Sequence, residues 1–223
     1  MSSSSKPLMS EEIAQRISAC GAIAVIVLDD ADKAVPLAQA LYKGGVNCIE
    51  LTLRTPAALE SARRIKEQVP EVILGIGTVL TKEQVKDSKK AGADFAVAPG
   101  CNPTILQEAL RLELPFAPGI MTPSDIEQAL QFGCRILKYF PAETSGGLKN
   151  LQSMAAPYKH LGLQFIPLGG VNQENAAYYL NSPLICAIGG SWIAKAPLIA
   201  ESNWSQITTN ASNIRNLVCE LRG

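Results

Sequence analysis

Short runs of apolar and β-branched residues alternate along this chain with longer segments whose apolar side chains recur every three or four positions. The short runs lie at residues 22–28, 46–53, 72–78, 94–98, 115–118, 134–140, 164–168 and 184–188. Their starts are spaced by roughly 20 to 30 residues, the pitch of a strand followed by its return helix. Several are apolar throughout, as in Ala22-Ile23-Ala24-Val25-Ile26-Val27-Leu28, which suits a parallel strand covered on both faces. Eight such units predict an α/β fold, a single (β/α)8 TIM barrel with an extra N-terminal helix over 10–19 covering its bottom. An open doubly wound sheet would use the same alternation. Eight strands, several of them ending in polar residues, favour the closed barrel.

The polar segments carry helix punctuation. Thr81-Lys82-Glu83-Gln84 has the spacing of a capping box. Thr122-Pro123-Ser124-Asp125 supplies a cap, a proline for the first turn and an acid at the positive end of the helix dipole. Gly44-Gly45 and Gly92 read as helix stops. Trp204, Ile207, Ala211, Ile214, Val218 and Leu221 share one face of a final helix. No stretch rich in Pro, Gly or Ser divides the chain. Residues 10–223 are therefore expected to form one catalytic domain behind a short disordered tail at 1–9.

Composition narrows the function. Lys plus Arg and Asp plus Glu are equal at 20 each, so no net field recruits nucleic acid or an anionic membrane, and an anion must be held by a local site. No apolar run reaches the ~20 residues of a membrane span, and Met1-Ser2-Ser3-Ser4-Ser5-Lys6 lacks the apolar core of a signal peptide. The six cysteines are widely spaced without a C-x-x-C pair, which points to free thiols in a reducing, cytoplasmic setting. His160 is the one histidine, and no His and carboxylate cluster has metal-ligand spacing. No metal and no cofactor are expected.

In a parallel barrel, chemistry collects where strands hand over to the following loops. In Ile49-Glu50-Leu51-Thr52-Leu53-Arg54 the alternation of a strand puts Glu50, Thr52 and Arg54 on one face, pointing inward. In the run Cys134-Arg135-Ile136-Leu137-Lys138-Tyr139-Phe140, Lys138 shares a face with Cys134, Ile136 and Phe140. Burial penalises the charged form of an amine, and the neutral amine is the nucleophile that attack on a ketone requires. Lys138 taken alone suits equally a lysine whose head reaches solvent at the rim. Thr78 ends the Gly75-Ile76-Gly77 strand, as a rim hydroxyl or a turn cap. The seventh and eighth strands end in Leu168-Gly169-Gly170 and Gly189-Gly190-Ser191-Trp192. Glycines let backbone amides approach an anion, and these two loops are the usual phosphate seat of such a barrel.

Taken in order, Glu50-Leu51-Thr52-Leu53-Arg54-Thr55, Gly75-Ile76-Gly77-Thr78-Val79, Ala98-Pro99-Gly100, Pro118-Gly119, Lys138-Tyr139-Phe140-Pro141-Ala142-Glu143, Gly169-Gly170 and Gly189-Gly190-Ser191-Trp192 resemble the 2-keto-3-deoxy-6-phosphogluconate aldolase family, which includes 4-hydroxy-2-oxoglutarate aldolases. The resemblance covers residues 22–200. It implies a metal-independent class I aldolase that cleaves a 2-keto-3-deoxy-6-phospho sugar acid to pyruvate and glyceraldehyde 3-phosphate. Lys138 matches the Schiff-base lysine, and Glu50 the acid/base that shuttles protons through a water. Arg54 and Thr78 match the groups holding the substrate carboxylate. Gly169, Gly170, Gly190 and Ser191 match the phosphate seat, and Phe140, Leu168 and Pro99 the pocket wall. The partner implied is a small-molecule 2-keto acid, and the assembly a homotrimer.

The chain departs from the family pattern at Leu168, where members acting on the gluconate-derived substrate carry threonine and those acting on the galactonate-derived epimer an apolar residue. An arginine that some relatives carry at the end of strand one is replaced by Val27 and Leu28. The alternatives are a 4-hydroxy-2-oxoglutarate aldolase yielding glyoxylate, a phosphosugar isomerase or synthase using Lys138 and Glu50 without a covalent intermediate, and a non-catalytic sugar-phosphate-binding barrel.

Overall fold

In the computed structural model, residues 7–223 are described. Strands β1 (Ala22–Ile26), β2 (Cys48–Thr52), β3 (Ile73–Gly77), β4 (Phe95–Val97), β5 (Phe116–Ala117), β6 (Gly119–Ile120), β7 (Ile136–Tyr139), β8 (Gln164–Pro167) and β9 (Ile188–Gly190) are all parallel to their neighbours. Between and around them run helices α1 (Glu11–Cys20), α2 (Ala34–Lys43), α3 (Ala58–Gln68), α4 (Lys82–Lys90), α5 (Pro103–Arg111), α6 (Pro123–Gln131), α7 (Gly147–Ala155), α8 (Ala176–Leu180), α9 (Ala196–Ala200) and α10 (Trp204–Arg222).

The closed eight-stranded TIM barrel expected from the sequence is not what the strands form. They make two parallel sheets, one of six strands in the order β5-β4-β3-β2-β1-β9 and one of three in the order β6-β7-β8. The run at 115–118 explains one division. Pro118 has no N–H to donate and cannot continue a ladder. The strand splits around it into β5, paired with β4, and β6, paired with β7. At the other division β8 meets the chain ahead of β9 through a single bridge, Phe165 to Ile185. The strand expected at 184–188 begins only at Ile188, because residues 181–184 form a turn. The Arg222 guanidinium braces this sparse junction, donating to the carbonyls of Leu180, Ile185 and Cys186.

Alternation sorts the apolar side chains into two clusters. Ile49, Leu51, Leu74, Ile76, Leu137 and Tyr139 join the larger one with the helices. Ile23, Cys48, Ile73, Phe95, Val97, Ala117, Ile136 and Ile166 form an inner cluster drawn from both sheets. Helix α1, capped by Ser10, adds Ile17 and Cys20 to it. Cys134 departs from the predicted face: β7 starts two residues later, at Ile136, and Cys134 packs in the outer cluster.

Local signals are realised where the chemistry is local. Thr81 with Gln84 and Thr122 with Asp125 both form capping boxes. In α10 the positions Ile207, Ala211, Ile214 and Val218 are buried. Residues 1–6 of the expected disordered tail lie outside the described residues, while Leu8 and Met9, assigned to the same tail, are buried. The Leu8 N–H donates to the Gly133 carbonyl at 3.2 Å. No helix among the described residues is long and apolar enough to cross a membrane.

Candidate active site

Lys138 and Glu50 come from different sheets and meet. Lys138 is third in β7 and Glu50 third in β2, and both side chains point into the inner cluster, as alternation predicted. The Lys138 Nζ donates to Glu50 Oε1 at 3.0 Å. Only 6% of Lys138 and 2% of Glu50 is exposed, so the lysine head does not snorkel into solvent. Two ions taken this far from water are costly unless each neutralises the other.

The surroundings are shaped for this pair. Gly77 stands beside the carboxylate, and a Cβ there would collide with Glu50 Oε1. Gly75, one alternation earlier, leaves room for the Phe95 ring. Both glycines leave space that a larger residue would take from a neighbouring side chain. The Phe140 ring is half-buried, with its centroid 5.5 Å from Lys138 Nζ, a cation–π distance. Thr52 shares the inward face, but its hydroxyl donates to the Ile26 carbonyl at 3.1 Å and ties β2 to β1.

Thr78 follows Gly77 with φ 62. A β-branched residue in the left-handed region is strained by about 1–3 kcal/mol, and such strain concentrates at functional sites. Arg54 is placed otherwise than expected. Strand β2 ends at Thr52 and the chain turns, with the Arg54 N–H donating to the Thr52 carbonyl at 2.8 Å. Alternation stops with the strand, and the Arg54 side chain is exposed, not interior. Among the described residues it forms no ion pair. Pro99 is exposed at the end of β4, its carbonyl packed so closely on Gly119 that no Cβ would fit there.

The loops after β8 and β9 complete the same end of the sheets. Gly169 and Gly170 both have φ 89, a conformation open to glycine. Their carbonyls are engaged: Gly169 accepts from the Glu143 N–H at 3.0 Å and Gly170 from Asn175 Nδ2 at 3.1 Å. Their N–H groups are donated to no acceptor among the described residues. Gly169 packs on Pro141 and Phe140, which places this turn beside the lysine strand. Leu168 is buried in the inner cluster over Gly189. Gly190 ends β9 under the Trp192 ring, and Ser191 is exposed in the next turn. A depression of about 590 Å³ adjoins these loops, lined by Asn172, Gln173, Glu174, Trp192, Lys195 and the α10 residues Asn210 and Ile214.

Two contributors escaped sequence reasoning. Asn175 and Tyr179 brace the Gly169–Gly170 turn from the side of α8, Tyr179 by donating to the Glu143 carboxylate. Asparagine shortly after a Gly-Gly turn is a signal for an Asx brace. Nothing in the sequence marks the tyrosine. No group of three or more His, Cys, Asp or Glu among the described residues is arranged to hold a metal ion.

Residues 13–210 match the family described as KDPG and KHG aldolase. The chain is 41% identical over 196 residues to the 2-dehydro-3-deoxy-phosphogluconate aldolase of Treponema pallidum, covering 88% of this chain and 92% of the relative. It is 39% identical over 186 residues to the KHG/KDPG aldolase of Escherichia coli, covering 83% and 86%. Among solved structures it is similar to the KDPG aldolase of Legionella pneumophila with pyruvate captured at low pH as a covalent carbinolamine intermediate. That structure has a TM-score of 0.86 and 35% identity, over 90% of this chain and 96% of the other. The Zymomonas mobilis 2-keto-3-deoxy-6-phosphogluconate aldolase with 3-phosphoglycerate gives a TM-score of 0.84 at 35% identity, over 92% and 96%.

Proposed function

Because the chain belongs to the KDPG and KHG aldolase family, we propose that Lys138 is its Schiff-base nucleophile and Glu50 its proton shuttle. The enzyme is a class I aldolase, a carbon–carbon lyase that needs no metal and releases pyruvate and glyceraldehyde 3-phosphate. The observation that carries the residue assignment is the buried 3.0 Å contact between the one amine and the one carboxylate facing each other inside the strand ends.

The contact itself supplies the nucleophile. A proton passed from Nζ to Glu50 leaves a neutral amine and a neutral acid, with no net charge moved out of the buried site. The amine adds to the C2 carbonyl of the substrate, and loss of water from the carbinolamine gives an iminium. Glu50, ionised again, takes the proton of the C4 hydroxyl. The C3–C4 bond breaks, its electrons flow into the iminium, and an aldehyde departs from the enamine. Glu50 then protonates C3, and water releases pyruvate and regenerates Lys138.

The remaining roles follow from position. Thr78, beside Glu50 through Gly77, holds the carboxylate end of the substrate, with Arg54 reaching it from the turn after β2. The unengaged N–H groups of Gly169 and Gly170, with Gly190 and Ser191, seat the phosphate by the amide geometry that favours anions. Phe140, Leu168 and Pro99 form the wall. Buried Leu168 offers no hydrogen bond at the substrate hydroxyl, which leaves the galactonate-type epimer a candidate beside the gluconate type. Residues 10–223 act as one catalytic domain in a cytoplasmic homotrimer. Four buried free thiols support the reducing compartment, and the family resemblance supports the trimer.

Borohydride reduction in the presence of pyruvate tests the assignment. The expected product is a reduced pyruvyl adduct on Lys138, located by peptide mass spectrometry. An adduct on another lysine overturns the site, and no adduct on folded protein overturns the covalent route.

A further inference from the structure

We propose that Glu143 is a positioning residue that locks the Gly169–Gly170 turn to the strand carrying Lys138, holding the phosphate end of the substrate in register with the imine end. The inference rests on the phosphate seat proposed above and concerns a residue that touches neither the reacting atoms nor the anion.

Glu143 lies five residues beyond Lys138 and grips the turn three ways. Its N–H donates to the Gly169 carbonyl at 3.0 Å, next to an Ala142 N–H to Leu168 carbonyl bond of 2.7 Å and a Leu168 N–H to Tyr139 carbonyl bond of 3.0 Å. These bonds carry the β7–β8 pairing past the ends of both strands. The Glu143 side-chain stem fills the space over Gly170, where an added Cβ would lie 2.5 Å from Glu143 Cβ. Its carboxylate accepts the hydroxyl of Tyr179, a fully buried side chain on α8. The segment from Gly169 to α8 is thus held at both ends by one residue of the turn that follows the Lys138 strand. Burial and this hydrogen bond to Glu143 both push the Tyr179 phenol up from its ordinary value, which favours the protonated, donating form.

The geometry explains why the lock acts on binding and not on chemistry. The Gly169 and Gly170 carbonyls are occupied, while their N–H groups are donated to no acceptor among the described residues, and the turn that carries them is fixed by Glu143. Freed from Glu143, two glycines with wide conformational freedom would lose that arrangement. Lys138 and Glu50, set by the ladders of β7 and β2, would keep theirs.

The test compares Tyr179→Phe, Glu143→Ala and Glu143→Gln on 2-keto-3-deoxy-6-phosphogluconate and on its unphosphorylated counterpart. Tyr179→Phe removes only a hydroxyl and serves if Glu143→Ala fails to fold. We expect KM for the phosphorylated substrate to rise about tenfold in Tyr179→Phe and Glu143→Ala, the scale of one lost hydrogen bond to a charged group. Turnover of the unphosphorylated substrate and the borohydride-trapped pyruvate adduct stay at the wild-type level. Glu143→Gln, whose amide oxygen still accepts from Tyr179, restores the low KM. Equal losses on both substrates, or an unchanged KM, overturn the positioning role while leaving the phosphate seat standing. A wild-type enzyme with no preference for the phosphorylated substrate overturns the seat and the lock together.

Discussion

The two ends of the inner cluster are built from the same strands and treat polar atoms in opposite ways. On one face of β2 stand Cys48 and, two residues on, Glu50, both almost wholly buried. Cys48 lies among Ile17, Cys20, Ile23, Ile73 and Cys186, where α1 packs. Burial is the first cause of its thiol being pushed well above its ordinary value, with the neighbouring Cys20 and the Glu50 charge adding to it. It behaves as a small apolar residue. Glu50 faces Lys138 and is held as half of an ion pair. The contrast shows that depth does not decide which buried group is held in an ion pair. A partner across the interior does.

The sharpest way to break the contrast is to remove that partner. Lys138→Ala is expected to abolish cleavage, a loss of at least three orders of magnitude on the scale seen when a covalent nucleophile is deleted. It also leaves Glu50 charged and alone, which costs about 3–5 kcal/mol, whereas exchanging both members for apolar residues is near neutral. Urea unfolding should therefore find the double variant Lys138→Met, Glu50→Leu close to wild-type stability but equally inactive. A double variant as unstable as the single one would show that the pair is not the source of the cost.

A smaller perturbation moves the carboxylate without removing it. Gly77→Ala drives a methyl into Glu50, and overpacking of this kind costs about 1–3 kcal/mol. If Glu50 is the proton shuttle proposed above, displacing it by a fraction of its reach should lower kcat by about 10²-fold while the pyruvate adduct on Lys138 still forms. Undiminished kcat would mean that Glu50 can work from another position.

The smallest effect belongs to the thiol end. Burial raises the Cys134 and Cys186 thiols from 9.0 to about 12, and Cys48 rises as well. Above pH 9.0 the unfolded chain loses these protons and the folded chain keeps them, so the native state binds more protons and stability falls as pH climbs toward about 12. Below pH 9.0 the thiols contribute no pH dependence. Thiol-reagent titration at pH 8 should label exposed Cys219 first and half-buried Cys101 more slowly, with Cys48, Cys134 and Cys186 reacting only after unfolding. Rapid native labelling of Cys48 would place it in reach of solvent and end the contrast.

Much of the candidate site's placement was legible because it depends on short-range rules. Alternation put Glu50 and Lys138 inward, and cap residues marked the starts of α4 and α6. The same rule failed for Arg54 and Cys134, because it holds only inside a strand, and β2 ends at Thr52 while β7 begins at Ile136. Most strand positions were legible, but neither their number nor closure was, since Pro118 splits one expected strand into two and makes nine of eight. Whether neighbouring strands pair along their length depends on local breaks such as Pro118 and the turn at 181–184, which interrupt ladders that the hydrophobic pattern would extend.

By itself the sequence determined the α/β alternation, the strand faces, most helix ends and the family motifs, since each is written in the identities of residues a few positions apart. Only the tertiary structure decided that the strands form two sheets, that Lys138 touches a carboxylate 88 residues away, and that Tyr179 reaches Glu143 across a further helix. Those contacts join residues whose meeting depends on how every intervening element packs. No local propensity carries that information.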